Sequence, residues 1–119
     1  MRGRLTLPAR LRLRRKSDFG AAYARGRRLN DGFFTVIATA NEFGAPRLGL
    51  AVAVRAAGGA VARNRLRRII RESFRLNQRS LPALDLVVSV RPKAREVPAR
   101  TLHESLAAFW RKIAEAAPR

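Results

Sequence analysis

Hydrophobic and polar positions alternate along this chain in two rhythms. Three stretches repeat every second residue. In Phe33 to Ala40, Phe34, Val36 and Ala38 share one face, and Phe33, Thr35, Ile37 and Thr39 share the other. In Leu48 to Arg55, Leu48, Leu50, Val52 and Val54 oppose Gly49, Ala51, Ala53 and Arg55. In Leu84 to Arg91, Leu86, Val88 and Val90 oppose Asp85, Val87, Ser89 and Arg91. Period-two alternation predicts strands of a half-buried sheet, with one face on helices. Asn41 to Pro46 is rich in turn formers, so the first two strands read as a hairpin. Arg27 to Leu29 is a short basic stretch that could add a further edge strand.

The helical rhythm appears three times. Ser17 reads as an N-cap with Asp18 in the first turn, opening a short helix that Gly26 ends as its C′ residue. Phe19 and Tyr23 lie four apart on one face of it. A long helix is predicted from about Ala60 to Gln78. There Ala62, Leu66, Ile69, Ile70, Ser73 and Phe74 form an apolar stripe that packs on the sheet. Pro98 starts a last helix running to about Ala116, with the core stripe Leu102, Leu106, Phe109 and Ile113. Trp110 reads as core, and His103, beside the stripe, as a surface or half-buried structural histidine. Residues 1–16 are basic and mostly irregular. No repeat or linker divides the chain, so residues 1–119 read as one α+β domain.

Charge changes the picture. The 119 residues hold 26 Lys and Arg against 8 Asp and Glu, a formal charge of +18, yet 47% of the residues are hydrophobic. That is too much apolar material for a disordered basic tail, and enough for a core. A charge this large opposes compaction unless a polyanion neutralises it, so the expected partner is nucleic acid. Of the 26 basic residues only Lys16, Lys93 and Lys112 are lysine. Guanidinium forks suit phosphate, and a genome favouring Arg codons gives the same bias. The absence of cysteine excludes disulfide scaffolds and thiol chemistry. No apolar run approaches the ~20 residues of a membrane helix, and the Arg-rich start lacks the apolar core of a secretory signal. A cytoplasmic protein without membrane association is expected.

The long helix concentrates the charge. Asn64, Arg67, Arg68, Arg71 and Arg75 oppose its apolar stripe, with Arg63 and Arg65 at the margins. Glu72 is the only acid among six arginines between Arg63 and Arg75, and can pair with Arg68 or Arg75. A solvated helix face normally mixes signs. Cations at a helix start also oppose the macrodipole, a cost that a bound phosphate reverses. This face is read as binding nucleic acid, DNA or RNA. The small, mixed sheet face ending in Arg55 and Arg91 reads either as an ordinary solvated face or as a groove for an extended strand. The eight acids are scattered singly, which argues against a carboxylate metal cluster and a catalytic role for the chain alone.

The run Ala62-Arg63-Asn64-Arg65-Leu66-Arg67-Arg68, continued by Ile70-Arg71-Glu72-Ser73-Phe74-Arg75, resembles the signature of the protein subunit of bacterial ribonuclease P. Ser17-Asp18-Phe19, Pro46 to Val52, Leu81 to Val88 and Leu106 to Lys112 are similar to further stretches of that family, in order and at its spacing. The resemblance implies an α/β sandwich with a left-handed βαβ crossover around the basic helix. It implies that Arg63, Asn64, Arg65, Arg67, Arg68, Arg71 and Arg75 bind the catalytic RNA. It also implies a cleft for the 5′ leader of precursor tRNA, formed by Phe19, Tyr23, Phe33, Ile37, Arg55 and Arg91. Magnesium would be held mainly by the RNA, with no catalytic or metal-binding residue in the chain. Ribonuclease P RNA and precursor tRNA would be the partners, with no DNA, membrane or obligate protein partner. Ile37 stands where the family often has an aromatic residue, and Val54 with Arg55 where it often has two basic ones.

Overall fold

The computed structural model describes residues 9–13 and 15–116. Four helices, α1 (Lys16–Arg25), α2 (Val54–Ala57), α3 (Ala60–Asn77) and α4 (Ala99–Ala116), surround four strands: β1 (Arg27–Asn30), β2 (Phe34–Ala40), β3 (Arg47–Ala51) and β4 (Leu84–Val90). Short 3-10 turns at Ala9–Leu11, Gln78–Ser80 and Pro92–Glu96 complete the path. None of the described helices is long and apolar enough to cross a membrane.

The strands form one sheet in the order β1-β2-β4-β3. The expected hairpin between the second and third strands does not form. β2 pairs antiparallel with β1 and β4, whereas β3 runs parallel to β4. Alternation identifies strands but not their neighbours. Burial explains the choice: Leu86, Val87 and Val88 of β4 are completely enclosed, so β4 needs a strand on each side. The true hairpin joins β1 to β2, where Asp31 Oδ1 accepts the N–H groups of Phe33 (2.8 Å) and Phe34 (2.9 Å).

The third strand also stops early, at Ala51 rather than Arg55. Residues Val54–Ala57 coil into a single helical turn, and Gly58 ends it at φ 95°. Alanines 56 and 57 favour this turn, and only glycine takes that φ without strain. Val54 is consequently exposed rather than a core residue, and Arg55 leaves the sheet.

α3 and α4 cover one sheet face. Leu66, Ile69, Ile70 and Phe74 of α3 meet Leu102, Leu106, Phe109 and Trp110 of α4 over Phe34, Val36, Leu86 and Val88. The apolar stripe of α3 therefore packs on α4 as well as on the sheet. Phe74 and Trp110 meet edge to face at 6.1 Å, and buried Trp110 Nε1 donates to Ser73 Oγ at 2.8 Å. α1 covers part of the opposite face, enclosing Leu13, Ala22, Ile37 and Val87. Helix α1 starts after Arg15 without a side-chain cap, so Ser17 lies inside its first turn and is not the cap. Gly26 ends α1 in extended backbone, at φ −76°, not as a left-handed C′ residue. Its small size is what matters: a Cβ there would lie 2.2 Å from Ile37 Cγ2.

Candidate nucleic-acid interface

α3 is held by its buried stripe, Leu66, Ile69, Ile70, Ser73 and Phe74, which turns the arginines outward. Arg68 and Arg71 are exposed, and Arg67 is half-buried with Nη1 3.5 Å from Asn64 Oδ1. Arg65 Nη2 donates to the Val97 carbonyl at 3.1 Å, which fixes its stem while leaving its charge uncompensated. Arg63 is half-buried, and its Nε is enclosed without a hydrogen-bond partner. Arg75 departs from the set: its guanidinium lies 3.5 Å from Glu72, whose other oxygen is 3.9 Å from His103 Nε2. The one acid of the helix thus serves its C-terminal half. Gly59 precedes α3 without a side-chain cap, so no capping side chain meets the first N–H groups of this cation-rich helix.

Two more arginines join this face that the chain pattern did not reveal. A Cβ on Gly58 would meet Arg95 Nε at 3.6 Å, so Arg95 lies over the turn that opens α3. Arg12 comes from the segment read as irregular. That segment bridges Leu48 in parallel along the β3 edge, and the Leu13 N–H donates to the Leu48 carbonyl at 2.7 Å. Although Arg71 is exposed as a residue, partial desolvation of its guanidinium, reinforced by the charges of Arg12 and Arg67, lowers its pKa from the ordinary value. Leu11 and Leu13, apolar residues flanking one arginine, were the available signal.

The second candidate surface is the sheet face that α1 only partly covers. Strand register sets Asn30, Thr35, Ser89 and Ala51 side by side across all four strands. Asn30 is exposed and the other three are half-buried, so this row forms an open, small-residue floor. Arg91 follows β4 and Arg55 lies on α2, both exposed. Tyr23 on α1 is 49% exposed. Phe19 is half-buried, its ring against Gly49 and Leu13. Two of the expected cleft residues are elsewhere. Ile37 is only 2% exposed, sealed beneath α1 with Val87. Phe33 precedes β2 and packs on the α3–α4 core instead. Alternation assigned both to this face but could not show where α1 would lie, nor that the hairpin turn would rotate Phe33 away.

At the far end of the same face an ion pair closes the surface. Arg47 donates from Nε to Asp85 Oδ1 (2.8 Å) and from Nη2 to Oδ2 (2.9 Å), and Asn41 Nδ2 donates to Asp85 Oδ1 (2.8 Å). Asp18 of α1 stands 4.0 Å away, and the guanidinium caps the Phe43 ring at 4.9 Å. The hydrogen bond to Asp85, with both carboxylates, raises the Arg47 pKa against the opposing effect of burial. Arg47 is therefore spent internally, and its charge is not presented to a ligand.

Among the described residues, no three His, Asp or Glu side chains lie together as a metal set. A cavity of about 340 Å³ is lined by Arg27, Leu29, Ala38, Ala40, Leu84 and Ile113 among others, and by none of the residues named for either basic surface. The two surfaces offer cations and hydrogen-bond donors, the equipment for holding a polyanion.

Comparison with known proteins gives a consistent result. The family described as Ribonuclease P matches residues 7–114. The ribonuclease P protein component of Pectobacterium atrosepticum is 40% identical over 115 residues, spanning 97% of each chain. That of Photorhabdus laumondii is 39% identical over 109 residues, 92% of each. The structure of the Staphylococcus aureus RNase P protein superposes with a TM-score of 0.81 at 31% identity, covering 88% of this chain and 95% of that one. The RNase P protein of Thermotoga maritima, solved with 1-(4-fluorophenyl)-2-thiourea, gives 0.78 at 35% identity, covering 85% and 98%.

Proposed function

This chain belongs to the ribonuclease P protein family, and on that premise we propose that its two basic surfaces hold two different RNAs. As a subunit of ribonuclease P, the endonuclease of tRNA 5′ maturation, it works with ribonuclease P RNA as its partner. The outer face of α3 grips that catalytic RNA through Arg63, Asn64, Arg65, Arg67, Arg68 and Arg71, with Arg75 at its edge. The open sheet row, flanked by Phe19, Tyr23, Arg55 and Arg91, takes the single-stranded 5′ leader of precursor tRNA.

One observation carries this division: the two cationic surfaces lie on different faces of the fold, one on α3 and one beside α1. Each surface matches its ligand. The helix offers a dense set of guanidiniums for a folded RNA backbone. The row of small side chains leaves room for an extended strand, with Tyr23 exposed at its side for stacking.

The chain's own contribution is positional and electrostatic. It screens repulsion between two RNAs and retains the leader, which favours precursor over leaderless product. The magnesium this reaction requires would supply Lewis-acid polarisation of the scissile phosphate, and no residue of this chain is assigned to hold it. Among the described residues the carboxylates do not gather as a magnesium site, and the metal is assigned to the RNA as part of this proposal. Precursor tRNA as substrate implies a cytoplasmic site of action.

The test compares holoenzyme affinity for a precursor carrying its 5′ leader with that for the same tRNA lacking it. A preference for the precursor that requires the chain is expected. Equal affinities with and without the chain would contradict a leader-binding surface.

A further inference from the structure

The segment ahead of α1 contributes a charge whose position the basic-helix motif does not explain. Leu11 is buried in the same core cluster as Leu66 and Ile70 of α3, and Leu13 is buried beneath α1. The Leu13 N–H donates to the Leu48 carbonyl, and Arg12 bridges Leu48 along the β3 edge. These contacts pin the backbone on both sides of Arg12 while its side chain stays exposed. Leu66 and Ile70, which share the cluster of Leu11, are followed in the chain by Arg67 and Arg71, one helical turn apart on α3. Arg71 feels both neighbours, whose charges join burial in disfavouring its protonated form. None of the three forms an ion pair with an acid among the described residues.

A fold rarely anchors three like charges together without return, because their repulsion works against folding. We propose that Arg12, Arg67 and Arg71 form one phosphate site, closed from two sides by the β3-edge segment and by α3. This rests on the reading of α3 as the surface for ribonuclease P RNA, and adds to it a residue outside the helix. Two consequences follow. The trio is unfavourable in the free protein and favourable once an RNA phosphate sits among the guanidiniums. Docking of the Leu11–Leu13 segment and binding of RNA then reinforce one another, because linkage is reciprocal.

The deciding variant is Arg12→Gln in the full chain, with Arg68→Gln as a control on the same RNA surface. Thermal unfolding of the free protein and affinity for a ribonuclease P RNA transcript are measured across a salt series. Losing one phosphate contact should weaken binding about fivefold to eightfold at 0.1 M salt and flatten the log–log salt slope by about 0.7–0.9. The melting temperature of the free variant should hold or rise, since a repulsive charge is gone. In hydrogen exchange, RNA should increase protection of the Leu13 amide in the parent and leave it much less changed in Arg12→Gln.

Unchanged RNA affinity in Arg12→Gln, with Arg68→Gln weakened, would overturn the site and leave the α3 surface standing. A lowered melting temperature with an unaltered salt slope would make Arg12 a structural residue, which also overturns it. If Arg68→Gln binds normally as well, the reading of α3 on which the site rests fails too.

Discussion

Arg68→Glu isolates the electrostatic contribution of α3. Arg68 is exposed and forms no ion pair among the described residues, so its substitution should change folding stability by less than about 0.5 kcal/mol. Arg63, Arg65, Arg67, Arg68 and Arg71 all lack an acidic partner there, while Arg75 is compensated by Glu72. If Arg67 and Arg71 share one phosphate and the other three meet one each, log K should fall against log salt with a slope of roughly −2.8 to −3.6. Charge reversal removes one contact and repels a neighbouring phosphate, so one to two contacts are lost. Each contact releases counterion worth about five- to eightfold in affinity at 0.1 M salt, giving a loss of about 5- to 60-fold. The slope should flatten by about 0.7–1.8, and the difference should shrink toward 1 M salt. Filter binding of a ribonuclease P RNA transcript at four or five salt concentrations measures both quantities. A loss of equal size at every salt concentration would refute the reasoning, because it would point to lost shape rather than lost charge.

Other expectations concern the cleft and the scaffold. Tyr23→Ala, at an exposed site, should leave melting temperature and assembly unchanged while costing about 1–3 kcal/mol of precursor binding; equal losses in assembly and precursor binding would sink the division of labour. Ser73→Ala strands the buried Trp110 N–H and should cost about 1–3 kcal/mol, read by denaturant unfolding followed through far-UV circular dichroism. Adding Trp110→Phe removes the orphaned donor, so the double variant should lose less than the sum of the singles; strict additivity would argue against the hydrogen bond. Arg47→Ala leaves Asp85 enclosed with Asn41 alone and should destabilise by about 2–4 kcal/mol, with a midpoint change below the equivalent of 1 kcal/mol counting against the clasp. Gly26→Ala drives a methyl against Ile37 and should cost at least about 1–3 kcal/mol, and a variant as stable as the parent would show that α1 docks differently.

What the chain pattern conveyed and what it withheld divide along a physical line. Periodicity reports local burial, so it located α3, α4, β2 and β4 within a residue or two and assigned Trp110 to the core. The optional edge strand at Arg27, offered by a short basic stretch and not by alternation, also forms. Pairing is a long-range property, and nothing within Leu48 to Arg55 indicates that β3 will lie beside β4 rather than β2. The same stretch continues its alternation through Val54, although the backbone has already turned into α2. Ile37 illustrates the corresponding limit for the cleft. Its face was read correctly, but that α1 would cover it depends on Gly26 and Gly49 letting the helix approach. The dense arginine face of α3 was legible because its signal is compositional and local. Arg12 and Arg95 were not, because each joins that face only through folding of a distant segment.

Reconstituted cleavage tests the central claim most directly. The purified chain and a bacterial ribonuclease P RNA, alone and together, are incubated with precursor tRNA at low magnesium and physiological salt, and leader release is followed. Cleavage that needs both components is the expected result, with Arg68→Glu suppressing it and added RNA partly restoring it. A chain that binds the RNA yet leaves cleavage unstimulated would contradict the account, as would leader removal by the chain alone.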